Sequence, residues 1–245
     1  MGGARRRCKA QGLGSSAAAP RPGECRFERC AMKLLRFWFD PVSPYAYLGF
    51  ERLPEVLAGL SYCVEYRPVL FAGLLQHWGQ KGPAEIEPKR AWTFRHVEWL
   101  ARHHGIALHT PLQHPFNPLP LLRLALACAE AGGAPNRRVV EAVLRHVWCG
   151  AGADANDPAR LEALVQDLAP CRDAQSQQVK DELRGAGQEA VQRGVFGVPT
   201  IELEGRLFWG LDSLEMVAAC LRGEPWFGTG WDSAGAPRAG VRRAG

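Results

Sequence analysis

The chain has 245 residues, and its 47 % hydrophobic and 22 % charged content is ordinary for a soluble globular protein. The net charge of +5 belongs to residues 1–31, where seven basic side chains outnumber two acidic ones, so the remainder is neutral overall. This distribution argues against a nucleic-acid-binding surface. Since no apolar run approaches the ~20 residues of a membrane-spanning helix, we expect neither nucleic acid nor a membrane as a partner.

Residues 1–31 are rich in Gly, Ala, Pro, Ser and Arg, and they show no apolar periodicity. They lack the continuous apolar segment of a secretory signal, which favours a cytoplasmic location. The first strand-like run begins just after Met32. We therefore predict that residues 1–31 are a disordered leader or lie upstream of the true start.

The first predicted elements are a strand, a helix and a second strand. Residues 34–39 are rich in strand-forming side chains. Ser43 then offers a hydroxyl N-cap and Pro44 the first helical position. Residues 63–67 read as the second strand, so the three elements predict a right-handed, parallel βαβ unit.

The middle of the chain, residues 70–187, has a helical pattern that is broken by Gly, Pro and Asn or Asp. Asp157 followed by Pro158 is a clear helix start. Helices are predicted at residues 89–104, 118–131, 137–147, 158–168 and 175–184.

Strands return near the C-terminus. Residues 198–203 and 206–209 are predicted strands, joined by a tight turn at Glu204 and Gly205. A last helix is predicted at residues 212–221, and the Gly-, Ala- and Arg-rich residues 228–245 are predicted to be a disordered tail.

This order of elements predicts an α/β protein with a thioredoxin fold (βαβ…ββα) and a large inserted all-helical domain. The predicted thioredoxin-like domain comprises residues 32–69 and 188–227, and the predicted helical insertion comprises residues 70–187. The leader (1–31) and the tail (228–245) lie outside both.

The segment at residues 37–51 carries the most informative chemistry. A strand here passes a small hydroxyl residue, Ser43, to a helix N-terminus, where free N–H groups and the helix dipole favour negative charge. Thioredoxin-like redox proteins have the first cysteine of C-x-x-C at this position, but residues 43–46 are Ser-Pro-Tyr-Ala. The site therefore cannot exchange disulfides, although it can still stabilise a thiolate that belongs to another molecule.

A second informative segment is Gly-Val-Phe-Gly-Val-Pro-Thr at residues 194–200. A proline that begins a strand cannot donate to the sheet ladder. In thioredoxin folds the equivalent proline is cis, and the backbone of the residue before it is free to pair with an extended thiol peptide. We therefore predict a cis bond between Val198 and Pro199.

The cysteines and histidines give no metal or disulfide motif. The chain has eight cysteines, none spaced as C-x-x-C and none beside a histidine pair at zinc-ligand spacing. His96 and His103 share a predicted helix face, but no carboxylate or cysteine joins them. We expect no metal, and we expect the cysteines to be buried, reduced thiols.

Four segments together closely resemble the 2-hydroxychromene-2-carboxylate isomerase family and its sibling, the kappa-class glutathione transferases. They are F-D-x-x-S-P-Y-x-Y-L-G-F-E at 39–51, G-x-K-x-P at 79–83, G-V-F-G-V-P-T at 194–200 and F-W-G-x-D at 208–212. The resemblance runs from about residue 32 to residue 226 with matching order and spacing. It implies the same thioredoxin fold with a helical insertion, and a homodimer.

The resemblance also implies a glutathione site. Ser43 would hydrogen-bond the glutathione sulfur and favour its thiolate, Val198 would pair with the cysteinyl backbone, and Asp212 would bind the γ-glutamyl amine. Gln80 stands where kappa-class relatives have Asn, a departure that keeps an amide. The implied glutathione contacts are Ser43, Pro44, Tyr45, Gln80, Val198, Pro199, Leu211 and Asp212.

Simpler interpretations of these residues remain open. Ser43 and Asp212 are also suitable as plain helix N-caps, and Pro199 as an ordinary first residue of a strand. Gln80 and Lys81 could belong to a solvated loop.

Candidate substrate contacts lie at the start of the helix predicted at residues 89–104. Lys89, with Arg90 beside it, could meet a substrate carboxylate or simply form a solvated helix start. Trp92 and Trp99 share a helix face, which is explained either by core packing or by a wall for an aromatic substrate.

The resemblance implies a glutathione-dependent isomerase that interconverts 2-hydroxychromene-2-carboxylate and trans-o-hydroxybenzylidenepyruvate in aromatic-compound catabolism. The glutathione thiolate would add reversibly to the small aromatic substrate and leave again after bond rotation. Two alternatives stay open, a kappa-like transferase that conjugates glutathione to an electrophile and a non-catalytic thiol-peptide binding module.

Overall fold

A mixed four-stranded sheet organises the computed structural model, which describes residues 32–235. The strand order is β2-β1-β3-β4; β1 and β2 are parallel, and the other neighbours are antiparallel. This topology confirms the predicted βαβ and ββα halves of a thioredoxin fold. The strands are β1 (Lys33–Phe39), β2 (Tyr62–Pro68), β3 (Thr200–Leu203) and β4 (Arg206–Trp209).

Nine α-helices accompany the sheet within residues 32–235, and none of them is long and apolar enough to cross a membrane. Helices α3 to α7 correspond to the five predicted helices of the middle segment, and the short helix α2 is additional. The helices are α1 (Pro44–Val56), α2 (Phe71–His77), α3 (Glu87–His103), α4 (Leu119–Ala127), α5 (Arg137–Trp148), α6 (Pro158–Leu168), α7 (Gln177–Gln192), α8 (Leu214–Leu221) and α9 (Trp226–Ser233).

The C-terminal end of strand β1 is buried on both faces, because its alternating side chains enter two different clusters. Leu35, Phe37 and Phe39 belong to the main core, which includes residues of α1, α5 and α8. Trp38 points the other way and packs with Ala190 of α7. The sheet therefore lies between helices on both sides, and the segment with Ser43 that follows β1 emerges from a rigid layer.

Helix α7 is longer than predicted and runs across the expected domain boundary at residues 187 and 188. Its continuation buries Ala190. Helix α2, which the sequence did not predict, has only seven residues, too few for a clear helical period.

The predicted disordered tail is wrong for its first residues, because residues 228–233 belong to α9. Phe227 is buried, and Trp231 packs 5.2 Å from Phe208, ring centroid to centroid. Aromatic burial therefore holds a helix that contains two glycines and has weak intrinsic propensity. The leader and residues 236–245 lie outside the described residues, so their predicted disorder stays a prediction.

Candidate active site

Ser43 is the N-cap of α1, as the sequence predicted. Its Oγ accepts a hydrogen bond from the backbone N–H of Ala46 at 3.2 Å, and Pro44 begins the helix. The side chain is only 6 % exposed. Ser43 is therefore held rigidly at the positive end of α1.

The Ser43 hydroxyl also joins the two segments that the sequence singled out. Its Oγ donates to the carbonyl oxygen of Val198 at 3.3 Å. The Val198–Pro199 peptide is cis, which confirms that prediction. Helix α1 approaches this proline so closely that a Cβ added at Gly49 would lie 3.4 Å from the Pro199 Cγ atom. Ser43 and Val198 thus meet at one point although 155 residues separate them.

The buried side chain of Asp40 stabilises the same turn through hydrogen bonds. It is fully buried, and its carboxylate accepts from the N–H groups of Val42 (2.9 Å) and Phe71 (2.8 Å). Burial raises the pKa of this carboxyl to about 7, against the opposing effect of these two hydrogen bonds. The charge of Asp40 therefore changes near neutral pH, in the turn where its backbone carbonyl accepts from the Ser43 N–H.

A cleft of about 460 Å³ opens beside this turn, a usual size for a small-ligand site. Four predicted residues line it, namely Tyr45, Val198, Leu211 and Asp212. The lining comes from α1, from the end of α3 and from the turn after β4. The other lining residues are Arg52, Val56, His96, Leu100, His104, Trp209, Gly210, Leu214 and Glu215.

Asp212 is not the N-cap of the helix predicted at residues 212–221, so that simpler interpretation is wrong. Helix α8 begins at Leu214, and its N-cap is Ser213, which makes no side-chain capping bond. The Asp212 carboxylate has no hydrogen-bond partner among residues 32–235 and folds back over Gly210. Gly210 has φ +91°, so both its backbone conformation and this close approach require glycine. The carboxylate is left exposed in the cleft.

Tyr45 and His96 form a hydrogen-bonded pair in the lining of the cleft. The Tyr45 hydroxyl and His96 Nδ1 are 2.9 Å apart. Burial, and then the nearby Asp212 carboxylate, raise the pKa of Tyr45, so the hydroxyl keeps its proton at neutral pH. The pair can hold or pass a proton beside the place where a ligand would lie.

Arg52 and His104 supply further polar surface in the cleft, together with Glu215. The Arg52 Nη1 lies 2.9 Å from His104 Nε2. Burial and this guanidinium lower the pKa of His104, which favours the neutral imidazole. Arg52 therefore places positive charge in the same cleft as the negative Asp212.

Helix α3 carries an exposed aromatic row beyond the cleft. Trp92, His96, Trp99 and His103 stack in sequence, with ring centroids 5.0–6.5 Å apart. Trp92 is 64 % exposed and Trp99 57 % exposed, so the core-packing interpretation of both is wrong. Only His96 of this row lines the cleft within the described part of the chain.

Several predicted site residues lie elsewhere. Gln80 and Lys81 are exposed in the loop after α2, and Lys89 and Trp92 are exposed at the start of α3. None of these four lines the cleft in the described range 32–235. Their roles toward glutathione and substrate stay predictions.

Arg52, His104 and Trp209 line the cleft although they are not among the predicted site residues, and His96 is considered from the sequence only as a candidate metal ligand. Helical spacing contained part of the signal. Residues 45, 52 and 56 recur on one face of α1, and residues 96, 100 and 104 recur on α3. Which two faces meet could not be predicted without the tertiary structure.

The expectation of buried cysteines holds for one of the five that the structure describes. Cys220 is buried, whereas Cys63, Cys128 and Cys149 are half-buried. Cys171 is exposed, because it lies in the loop between α6 and α7 rather than on an apolar helix face. All five are free thiols.

Comparison with known proteins agrees with this geometry. A model of the DsbA-like thioredoxin domain matches residues 34–222. The chain belongs to this family. The solved structure of a 2-hydroxychromene-2-carboxylate isomerase shares the fold with a TM-score of 0.68 at 21 % identity, and covers 81 % of this chain and 98 % of that one.

Two kinds of curated enzyme are similar to this DsbA-like protein over most of their length. The 2-hydroxychromene-2-carboxylate isomerase of Sphingobium xenophagum is 28 % identical, covering 77 % of this chain and 98 % of the isomerase. Glutathione S-transferase kappa 1 of Rattus norvegicus is 25 % identical, covering 81 % of this chain and 94 % of the transferase. Both relatives are enzymes, which supports an enzymatic function for this chain.

Proposed function

We propose that this protein is a glutathione-dependent isomerase that interconverts 2-hydroxychromene-2-carboxylate and trans-o-hydroxybenzylidenepyruvate. The observation that carries the proposal is the Ser43 N-cap beside Val198, at a position where a disulfide oxidoreductase needs cysteine. A site of this kind favours a thiolate without becoming oxidised. The similarity to isomerases, which this chain matches over 97–98 % of their length, supports the reaction type.

The charges of the cleft suit glutathione, which has one ammonium group and two carboxylates. Asp212 has a carboxylate without a protein partner among the described residues and would bind the γ-glutamyl ammonium. Arg52 lies in the same cleft and would meet a carboxylate. The Val198 backbone N–H makes no hydrogen bond within residues 32–235 and would pair with the cysteinyl backbone. Pro44, Tyr45, Pro199 and Leu211 would complete the contacts.

When bound, glutathione supplies the thiolate that adds reversibly to the conjugated substrate. Ser43 favours the charged sulfur by turning its hydroxyl away from the Val198 carbonyl, to which it donates here. Its Oγ continues to accept from Ala46 during that rotation. Since a free thiol has a pKa of about 8.5, this hydrogen bond and the helix dipole increase the reactive fraction at pH 7.

The protein's own acid–base group is the Tyr45–His96 pair. Isomerisation opens the hemiketal ring, so the C2 hydroxyl loses a proton as it becomes a ketone and the ring oxygen gains one as it becomes a phenol. His96 and the protonated Tyr45 hydroxyl lie 2.9 Å apart on the cleft wall and can share that proton. The aromatic row of α3 would guide a planar substrate toward this pair.

A second candidate is a kappa-like transferase that joins glutathione to an electrophile. The comparable similarity to the rat kappa transferase favours it. The same residues would activate the thiol, and only the fate of the adduct would differ. The expected homodimer and cytoplasmic location stay predictions under either function.

The test is turnover of 2-hydroxychromene-2-carboxylate by the purified protein with glutathione far below the substrate concentration. An isomerase converts all the substrate and leaves the glutathione concentration unchanged. A transferase stops when glutathione is consumed, and a thiol-peptide binding module converts nothing. Either of the last two results would overturn the isomerase proposal.

A further inference from the structure

A second cavity lies between α2, α4 and α7. Its volume is about 530 Å³, within the range of small-ligand pockets. In the described part of the chain it shares no lining residue with the active-site cleft. We call it the α2–α4–α7 cavity. Its apolar lining consists of Leu70, Leu74, Leu119, Leu183 and Val191.

The charged groups of this cavity all have one sign. Arg123 of α4 and Lys180 and Arg184 of α7 line it, together with His77 at the end of α2. Arg184 is paired with Asp181, which lies outside the cavity. No carboxylate lines the cavity among residues 32–235. The cavity therefore combines apolar walls with net positive charge.

Arg123 is the most informative of these groups. It is half-buried, and its Nε atom is fully buried with no hydrogen-bond partner in residues 32–235. It forms no salt bridge with any described carboxylate, whereas the similarly shielded Arg172 is bonded to both carboxylate oxygens of Glu182. Withdrawing a guanidinium from water without an anion is unfavourable. An anionic ligand would remove that cost.

Helix α7 places a second cation over the same space. Lys180 and Arg184 are four residues apart and so lie on one helix face, with Leu183 beside them. Lys180 makes no salt bridge in the described range. The cations of α4 and α7 therefore line one cavity, whose leucines offer surface to an apolar body.

We propose that the α2–α4–α7 cavity binds an amphipathic monocarboxylate, with the carboxylate at Arg123 and the apolar chain along the leucines. A guanidinium suits this ligand class because its N–H groups match the two carboxylate oxygens. The site is independent of glutathione and of the proposed isomerase reaction.

The probe is octanoate, with octan-1-ol as its uncharged match, titrated into the full-length protein by calorimetry. We expect octanoate to bind about tenfold or more tightly than octan-1-ol, since a hydrogen bond to a charged group is worth that ratio. Arg123→Met keeps an apolar stem and removes the charge. It should raise the Kd of octanoate about tenfold and leave that of octan-1-ol unchanged.

Two further variants keep the proposal falsifiable. Arg52→Met removes a guanidinium from the active-site cleft instead, and it should leave octanoate affinity unchanged. Leu183→Trp fills the apolar part and should weaken both probes, with folding of each variant checked by circular dichroism. Equal affinity for the two probes, no binding of octanoate, or loss of binding in Arg52→Met rather than Arg123→Met would overturn the proposal.

Discussion

The two walls of the active-site cleft are built in different ways. The thioredoxin wall places Val198 and Asp212 in the cleft lining, and Ser43 lies at the turn beside Val198. The positions of all three follow from backbone features, namely a helix cap, a proline at the start of a strand and a positive-φ glycine. The wall from the helical insertion places His96 and His104 through side chains of one helix face.

This difference separates two tasks. Backbone features are short-range and rigid, so they suit the groups that must hold a sulfur atom at a fixed point. Side chains on a packed helix can change without altering the fold, so they suit the recognition of a variable substrate. We therefore expect the thioredoxin wall to control thiol activation and the insertion wall to control the substrate.

Ser43→Ala tests the thioredoxin wall and should have the largest effect. Losing a hydrogen bond to a charged sulfur costs about 1.5–3 kcal/mol, or roughly 10- to 150-fold in turnover at pH 7. The deficit should shrink at higher pH, because solvent then supplies the thiolate. A pH–rate profile with saturating glutathione measures it.

The matched control is Ser176→Ala, because Ser176 is also an N-cap whose Oγ accepts from a backbone N–H, that of Val179. It should lose about 0.5–2 kcal/mol of stability and keep its turnover. If Ser43→Ala behaves in the same way, Ser43 is only a helix cap and the mechanism is wrong.

Asp212→Asn should separate binding from chemistry within the thioredoxin wall. Removing the charge that faces the glutathione ammonium should weaken glutathione binding about tenfold, with less effect on turnover at saturation. The pKa of Tyr45 should fall, because the Asp212 carboxylate helps to raise it. Calorimetry with glutathione and an ultraviolet titration of tyrosine measure the two effects. Glu215→Gln removes another carboxylate of the cleft and should weaken glutathione binding less.

His96→Phe tests the insertion wall. The variant keeps an aromatic ring in the row but removes the partner of the Tyr45 hydroxyl. We expect turnover to fall about tenfold, less than the usual ~10²–10⁴-fold effect of a general acid or base because the Tyr45 hydroxyl remains. Glutathione affinity should stay close to that of the wild type. His103→Phe, in the same row but outside the cleft lining of the described chain, should keep its turnover. Equal losses in both variants would contradict a role for the Tyr45–His96 pair.

Two buried groups at the Ser43 turn, one from the thioredoxin domain and one from the helical insertion, should change the free energy of unfolding with pH in opposite directions. The folded-state pKa of Asp40 is raised to about 7 by burial, so its contribution to stability is lost as the pH rises from about 4 to 7. His114 of the insertion bonds the Val42 carbonyl at 2.8 Å, and burial lowers its pKa. Its contribution is therefore lost as the pH falls below about 6.5.

Urea unfolding at pH 5 and pH 8 checks these signs. The stability of Asp40→Asn minus that of wild type should be more positive at pH 8 than at pH 5. The same difference for His114→Gln should be more positive at pH 5 than at pH 8. The same sign of change in both variants would contradict the assignment.

Deleting residues 1–31 should have the smallest effect. These residues carry the excess charge and no apolar pattern, so Tm and turnover should stay nearly unchanged. A fall in Tm of more than a few degrees, measured by differential scanning calorimetry, would show that the leader packs on the fold.

The sequence alone determined the thioredoxin topology and the backbone half of the site. Ser43 with Pro44, the proline at the start of β3 and the glycine-rich turns act through local geometry, and local geometry follows from residue type. The same reasoning located the five central helices, because each begins and ends at polar, proline or glycine signals.

Only the tertiary structure decided which helix faces meet. The hydrogen bond from Tyr45 to His96 spans 51 residues, and that from Ser43 to Val198 spans 155. Helix α9 likewise exists because Phe227 and Trp231 find Phe208, not because its sequence favours a helix. Contacts of this kind depend on how amphipathic elements pack around one core, and the period of a single helix does not specify its partner.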